Sequence, residues 1–276
     1  MSLQLDARQR AMLAEMGLRL FDRPVDSGPA EPAAAASVAP AARPVATRVV
    51  PVATESIAVQ AHPSRTDGTF DSKTPVKTVF GERPAGIEQM DWEALAQAVA
   101  GCRACGLCEG RRNTVFGVGD TQADWLIVGE APGENEDLQG EPFVGQAGKL
   151  LDNMLKAIGL DRGHKVYIAN VLKCRPPGNR NPEPAEVAQC EPYLARQVAL
   201  LRPRIILAMG RFAAQSLLQT TEPIGKLRGR VHQYRGVPVV VTYHPAYLLR
   251  NLPEKGKAWT DLCLAMELLD GSLANR

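Results

Sequence analysis

The chain has 276 residues, 45% of them hydrophobic, and 32 Lys and Arg stand against 30 Asp and Glu for a net charge of +2. That length suits one large domain or two ordinary ones with ample material for a core, and the charge balance excludes a polyelectrolyte tail, so nucleic-acid binding would need a local basic patch. No run approaches the roughly 18 apolar residues needed to span a bilayer, and the opening MSLQLDARQRAMLAEMG lacks the basic-then-apolar plan of a signal peptide; a cytoplasmic protein without membrane contact is expected.

In chain order, Leu5, Met12, Leu13, Met16 and Leu20 fall near helical spacing and predict a short amphipathic helix within residues 1–22. Its end, LRLF at 18–21, resembles the Leu-x-Leu-Phe close of peptides that dock on the bacterial sliding clamp, with Gly17 where those peptides carry Gln. A clamp contact through this segment is a secondary expectation. Residues 23–88 are rich in Ala, Pro and small polar residues and hold nine of the 21 prolines, a composition that buries too little apolar surface to offset its ordering entropy and predicts a disordered linker. The folded domain is expected over 89–276.

Within it, Asp91 is placed to cap a helix over WEALAQAVA that Gly101 stops. Four apolar, β-branched runs bounded by turn residues predict strands in DWLIVGE (124–130), VYIANVLKC (166–174), RIILAMG (204–210) and VPVVVTYHP (237–245). Helical patterns fill the intervals at 146–159, at 183–201 with a break expected at Pro192, and at 211–219, and a last amphipathic helix covers about 254–269. Strands apolar on both faces, alternating with helices, predict a three-layer α/β/α domain around a central, mainly parallel, four-stranded sheet. Ligands of such sheets bind beyond the carboxyl ends of the strands. The segments just after the strands are GEAPGENED, NVLKCRPPGNR, GR and YHPAYLLR, and one site should draw on all of them.

Several residues at that rim carry chemistry. Gly129 and Gly133 flank a turn that can aim N–H groups at an oxygen, and the carboxylates of Glu130, Glu134 and Glu136 beside it either orient water or form a solvated acidic loop. Phe143 lies on a Gly-rich loop as a core anchor or as a stacking platform for a planar base. Asn170, in an otherwise apolar run, offers donor and acceptor together, the pattern that reads a pyrimidine edge or satisfies a structural bond. His244 ends the last strand, immediately before Pro245.

The cysteines raise a separate question. GCRACGLCEG (101–110) spaces Cys102, Cys105 and Cys108 by two residues, and Cys174 and Cys190 come later, at the second strand's end and near Pro192. In a reducing compartment such clustering argues for metal or redox chemistry over disulfides. Cys102, Cys105, Cys174 and Cys190 would suit tetrahedral zinc or a [4Fe-4S] cluster equally well from spacing alone.

Taken together and in order, CRAC, VFGVGD (115–120), IVGEAPGENEDLQGEPFVGQAGKLLDNML (127–155), VYIANVLKCRPPGNRNP (166–182), Cys190 and YHPAYLLRN (243–251) resemble the motifs of family 4, iron-sulfur uracil-DNA glycosylases of bacterial type, here with an extra N-terminal extension. The resemblance covers about residues 93–269. It implies that Cys102, Cys105, Cys174 and Cys190 hold a [4Fe-4S] cluster, with Cys108 and Cys263 left as semi-buried thiols. It implies uracil-containing DNA, single- or double-stranded, as partner, a base flipped into a pocket, and a chain acting as a monomer. In that pocket uracil would stack on Phe143 and be read by Asn170, His244 would stabilise charge at uracil O2, and Glu130 and the Ala131 backbone would line the wall. The superfamily's usual water-activating Asp is replaced by Ala131, so Glu136 is assigned either to the water or to exclusion of the thymine methyl. Leu248 is expected to wedge into the space left by the flipped base, and Lys226, Arg228, Arg230, Arg250, Arg175 and Arg180 to contact phosphates. The reaction expected is monofunctional hydrolysis of the N-glycosidic bond, leaving an abasic site. A sister branch that traps its product covalently carries a basic insert ending in His before the fourth ligand, and RPPGNRNPEPAEVAQC has no His there. The alternative is a non-catalytic metal-cluster module that binds DNA; a redox protein is disfavoured because no GxGxxG stands after the first strand.

Overall fold

A computed structural model of the chain describes residues 81–274, with side chains to 271. The expected helix within 1–22, the clamp-like LRLF segment and all of the linker before residue 81 lie outside the described residues.

Six strands form one sheet in the order β1-β3-β2-β4-β6-β5. These are β1 (Val118–Gly119), β2 (Trp125–Gly129), β3 (Val166–Asn170), β4 (Ile205–Met209), β5 (Val231–Tyr234) and β6 (Val237–Thr242). The inner four run parallel and are the four expected from apolar runs; β1 and β5 pair antiparallel at the margins. The expected four-stranded sheet therefore becomes six-stranded. A strand of two residues has no periodicity to read, and VHQY is mostly polar because an edge strand is solvated, so neither margin resembles a buried strand.

Helices cover both faces. Alternate residues of β2, Trp125 and Ile127, face a layer made by α4 (Gln146–Ala157), α8 (Pro245–Arg250) and α9 (Lys255–Ala274), where they meet Leu151, Met154, Leu155 and Leu262. Leu126 and Val128 face the other way, toward Leu194 and Val198 of α5 (Pro184–Leu201) and Ala213 and Leu217 of α6 (Arg211–Leu218). Burying both faces of each strand is what its unbroken apolar run encodes, and each fully buried aliphatic side chain contributes about 1.5–3 kcal/mol. The remaining helices are short: α1 (Trp92–Ala100), capped by the Asp91 carboxylate accepting from Ala94 N–H at 2.8 Å, α2 (Leu107–Gly110), α3 (Glu134–Gln139) and α7 (Ile224–Leu227).

The break expected at Pro192 does not occur, since α5 runs through it. Proline removes the N–H that would have bonded the Ala188 carbonyl. That carbonyl accepts instead from Arg83 Nη1 at 3.3 Å, a donor from a segment 105 residues earlier that no local pattern announces. Among the described residues no helix is long and apolar enough to cross a membrane.

Candidate active site

A cavity of about 820 Å³ opens at the carboxyl ends of the parallel strands, lined by Glu130 to Gly133 after β2, Asn170 of β3, Gly210 and Arg211 after β4, and Tyr243 and His244 after β6. The segments expected at one rim are thus brought together. β2 and β3 end in register, Gly129 opposite Asn170. Because Gly129 has no side chain, Asn170 and Phe143 close over it: a Cβ there would stand 2.2 Å from Asn170 Oδ1 and 2.7 Å from the Phe143 ring. Asn170 is only 2% exposed, and its side-chain amide has no protein partner among the described residues, while its carbonyl accepts from Lys173 Nζ at 2.9 Å. Donor and acceptor are left for a ligand.

Phe143 is held in an unusual conformation. Its φ of 55° lies in the left-handed region, which costs a non-glycine residue about 1–2 kcal/mol. The loop is clamped from several sides. Arg162 donates from Nη1 to the Pro142 carbonyl at 3.0 Å and from Nη2 to the Phe143 carbonyl, and is itself fixed by Asp152. Glu136, the third residue of α3, accepts from Gly133 N–H at 3.1 Å through one carboxylate oxygen and from Val144 and Gly145 N–H at 3.0 and 3.3 Å through the other. The loop folds against Gly148 so closely that a Cβ would fall 1.7 Å from the Phe143 oxygen. So clamped, the ring is 5% exposed and lies parallel to the His244 imidazole, centroids 5.4 Å apart and planes 25° off.

His244 caps α8, its Nδ1 accepting from Ala246 N–H at 3.1 Å. That bond leaves the neutral ring's proton on Nε2. The residue keeps a cavity-facing surface, yet the walls desolvate the imidazole and push its pKa down to about 4, with Glu136 opposing and Arg250 assisting. At neutral pH the ring is an uncharged donor. Burial also raises Glu130 to about 7, partly offset by Arg211.

Several expected roles are not carried by these positions. Leu248 is 0% exposed and packs in the core beneath α8, so it cannot wedge into DNA; on this one-and-a-half-turn helix Tyr247 (38%) and Leu249 (42%) face solvent instead. Arg228 is not free for phosphates: its Nε meets Asp261 Oδ2 at 2.7 Å, its guanidinium covers the Tyr243 ring, and the pair is 11% and 0% exposed. Arg230 is exposed but paired with Glu222 at 2.9 Å, Arg175 lies 3.7 Å from Glu134, and Arg180 forks onto Glu186. Lys226 and Arg250 are exposed, and Arg250 lines the cavity. Glu136 has both oxygens engaged by backbone donors, which fits a loop clip better than a free base. Arg162, Arg211 and Tyr247 carry no motif in the sequence; the glutamate three residues after Gly133 is a local signal that could have marked Glu136 as a cap.

Behind the rim, Cys102, Cys105, Cys108, Cys174 and Cys190 line a second, small cavity with Arg111, Lys173 and Tyr193. Cys174 and Cys190 are buried, and burial pushes their thiols up to about 11 and about 12. Arg111 donates to Cys174 Sγ at 3.0 Å and to the Cys102 carbonyl at 2.8 Å, tying the first cysteine segment to the segment that follows β3. Among the described residues no group of three or more His, Cys, Asp or Glu is placed to hold a metal ion. Lys173, buried beside Cys174, bonds the Asn170 carbonyl and Gln197 Oε1 (2.6 Å), so one short segment joins the two cavities.

The family model described as "Uracil DNA glycosylase superfamily" matches residues 116–265. Type-4 uracil-DNA glycosylases from Archaeoglobus fulgidus, Saccharolobus solfataricus and Pyrobaculum aerophilum are 47%, 45% and 43% identical over 163, 170 and 183 residues. These alignments cover 56%, 58% and 63% of this chain and 81%, 78% and 93% of the respective relatives.

Proposed function

The chain belongs to the uracil-DNA glycosylase superfamily, in its type-4 branch, and from that premise we propose that it removes uracil from DNA as a monofunctional hydrolase. The observation that carries the reading is the convergence of the Phe143 ring, the unpartnered Asn170 amide and the neutral His244 imidazole in one cavity beyond the strand ends. A glycosidic bond inside a duplex is out of reach, so the nucleotide is flipped into this cavity, from single- or double-stranded DNA. Phe143 stacks on the base. Asn170 donates to uracil's O4 carbonyl and accepts from its N3–H; cytosine presents a donor (N4–H) and an acceptor (N3) at the same two places and is refused. As the N1–C1′ bond breaks, the electron pair moves onto the base, and His244 Nε2–H donates to O2, where charge develops. Water adds to C1′, giving free uracil and an abasic site. Glu136 acts by setting the Phe143 loop, and Glu130, carrying its proton below about pH 7, keeps negative charge away from the departing base.

The cavity that these cysteines share supports the reading that Cys102, Cys105, Cys174 and Cys190 would hold a [4Fe-4S] cluster. The choice of a cluster over zinc rests on kinship with the type-4 enzymes, and five cysteines lining one cavity supply the donor set such a group takes. Held there, a cluster would cross-link the cysteine loop, the segment after β3 and α5, and hydrolysis would ask no electron of it. Six unpaired thiols agree with a cytoplasmic setting, and we propose a monomer as the working form.

Alkali-revealed cleavage of a labelled oligonucleotide with a single uracil, by wild type and Asn170→Ala, tests the proposal. Strand breaks that fall steeply in the variant support it. An iron-loaded wild type that breaks neither single- nor double-stranded substrate overturns it in favour of the DNA-binding module, which nothing in the structure otherwise favours.

A further inference from the structure

A cubane cluster needs four thiolates, and five line the cavity. Cys263 is not among them, since it packs on the opposite face of the sheet with α9. The surplus thiol is therefore local: Cys102, Cys105 and Cys108 form two overlapping Cys-x-x-Cys units, with Cys105 shared by both. The backbone turns between the last two, Cys108 N–H donating to the Cys105 carbonyl at 3.2 Å as α2 begins, which brings both side chains to the same cavity wall. Cys102 and Cys108 both lie within electrostatic reach of the Cys105 thiol. Leu107 between them is buried in the small core that holds Cys174 and Cys190, so the turn is anchored against the site.

We propose that Cys108 is a reserve ligand of the cluster, completing the set of four when Cys105 is lost. The inference rests on the cluster reading. The exchange moves no electron: the iron–sulfur bond to Cys105 breaks, one to Cys108 forms, the incoming thiol gives up its proton, and a displaced thiolate takes one up. The short turn lets the ligand change while Cys102, Cys174, Cys190 and the Arg111 tie stay where they are. A site with one replaceable ligand tolerates oxidation or alkylation of Cys105.

Iron and acid-labile sulfide per chain test this in the full-length holoprotein, its Cys105→Ala and Cys108→Ala variants and the double variant. Each single variant is expected within about twofold of wild type, and the double variant to lose about tenfold or more. The second readout is alkylation by iodoacetamide, mapped by mass spectrometry. Cys108 reacts in the wild-type holoprotein and becomes protected in Cys105→Ala until iron is chelated. A Cys105→Ala protein as empty of iron as the double variant overturns the proposal, as does a Cys108 that reacts there at the wild-type rate. If Cys105→Ala does not fold, judged by circular dichroism, Cys105→Ser is read in the same two ways. Wild type without iron removes the cluster reading and this inference together, a result distinct from either failure above.

Discussion

Replacing Gly129 by Ala tests whether the base pocket depends on a missing side chain. The new methyl would lie 2.2 Å from Asn170 Oδ1 and 2.7 Å from two atoms of the Phe143 ring, about 1.2 and 0.7 Å short of the 3.4 Å at which ordinary contact begins. Neither neighbour retreats easily. Asn170 is in register on a central strand with its carbonyl held by Lys173, and Phe143 is pinned by Arg162 and Glu136. The pocket therefore yields by about 1 Å at both base-contacting groups. Misplacement of that size costs about 10²-fold in rate, which is about 2.7 kcal/mol at 1.36 kcal/mol per decade. Single-turnover cleavage of the uracil oligonucleotide should show that loss in Gly129→Ala and none in Gly256→Ala, where a Cβ meets no heavy atom within 4 Å. Overpacking costs about 1–3 kcal/mol. At about 2–4 °C per kcal/mol for a domain of this size, thermal unfolding separates a folded, impaired enzyme from a collapsed one. A folded Gly129→Ala within twofold of wild type refutes the reasoning.

Three other outcomes are expected from the same geometry. Glu130 ionises in the cavity as pH rises through about 7, so the rate should decline above that value in wild type and stay flat in Glu130→Gln; because the unfolded chain ionises near 4.5, stability is lost as pH rises between those two values, and the variant's melting temperature should not share that loss. Glu136→Gln keeps one acceptor but turns a donor toward backbone N–H, and about a tenfold fall in kcat/KM is expected, whereas a fall of about 10²–10⁴-fold, the contribution of a general base, assigns Glu136 to the water. Arg228→Gln leaves Asp261 buried without its partner, so about 3–5 kcal/mol of stability should be lost, read as a lower melting temperature, while salt-dependent DNA affinity of the folded protein changes little.

The inner sheet and the rim were legible because the signals are local. Four strands buried on both faces must be apolar throughout, and the residues next to their carboxyl ends in the chain are also next to them in space. Asn170 stood out as a polar residue in such a run. The features that the sequence did not disclose depend on partners far along the chain. Arg228 finds Asp261 33 residues away, and Pro192 sits inside a helix because Arg83 supplies the donor it lacks. Leu248 and Leu249 are neighbours on a six-residue helix, too short for periodicity to say which one faces the core. Arg162 carried no motif, since its task is to grip a backbone bend whose left-handed φ has no signature in a phenylalanine.

The two marginal strands also decide what the sheet's borders present. A parallel sheet that ended at β3 and β6 would present long apolar borders with unpaired N–H and C=O groups, ready to recruit a strand from a neighbour. Here β1 offers two residues, one of them glycine, and β5 offers VHQY with only Tyr234 buried, alongside the charged Arg235. Both borders are too short or too polar to extend. Among the described residues, neither border offers a long apolar edge for a further strand to join.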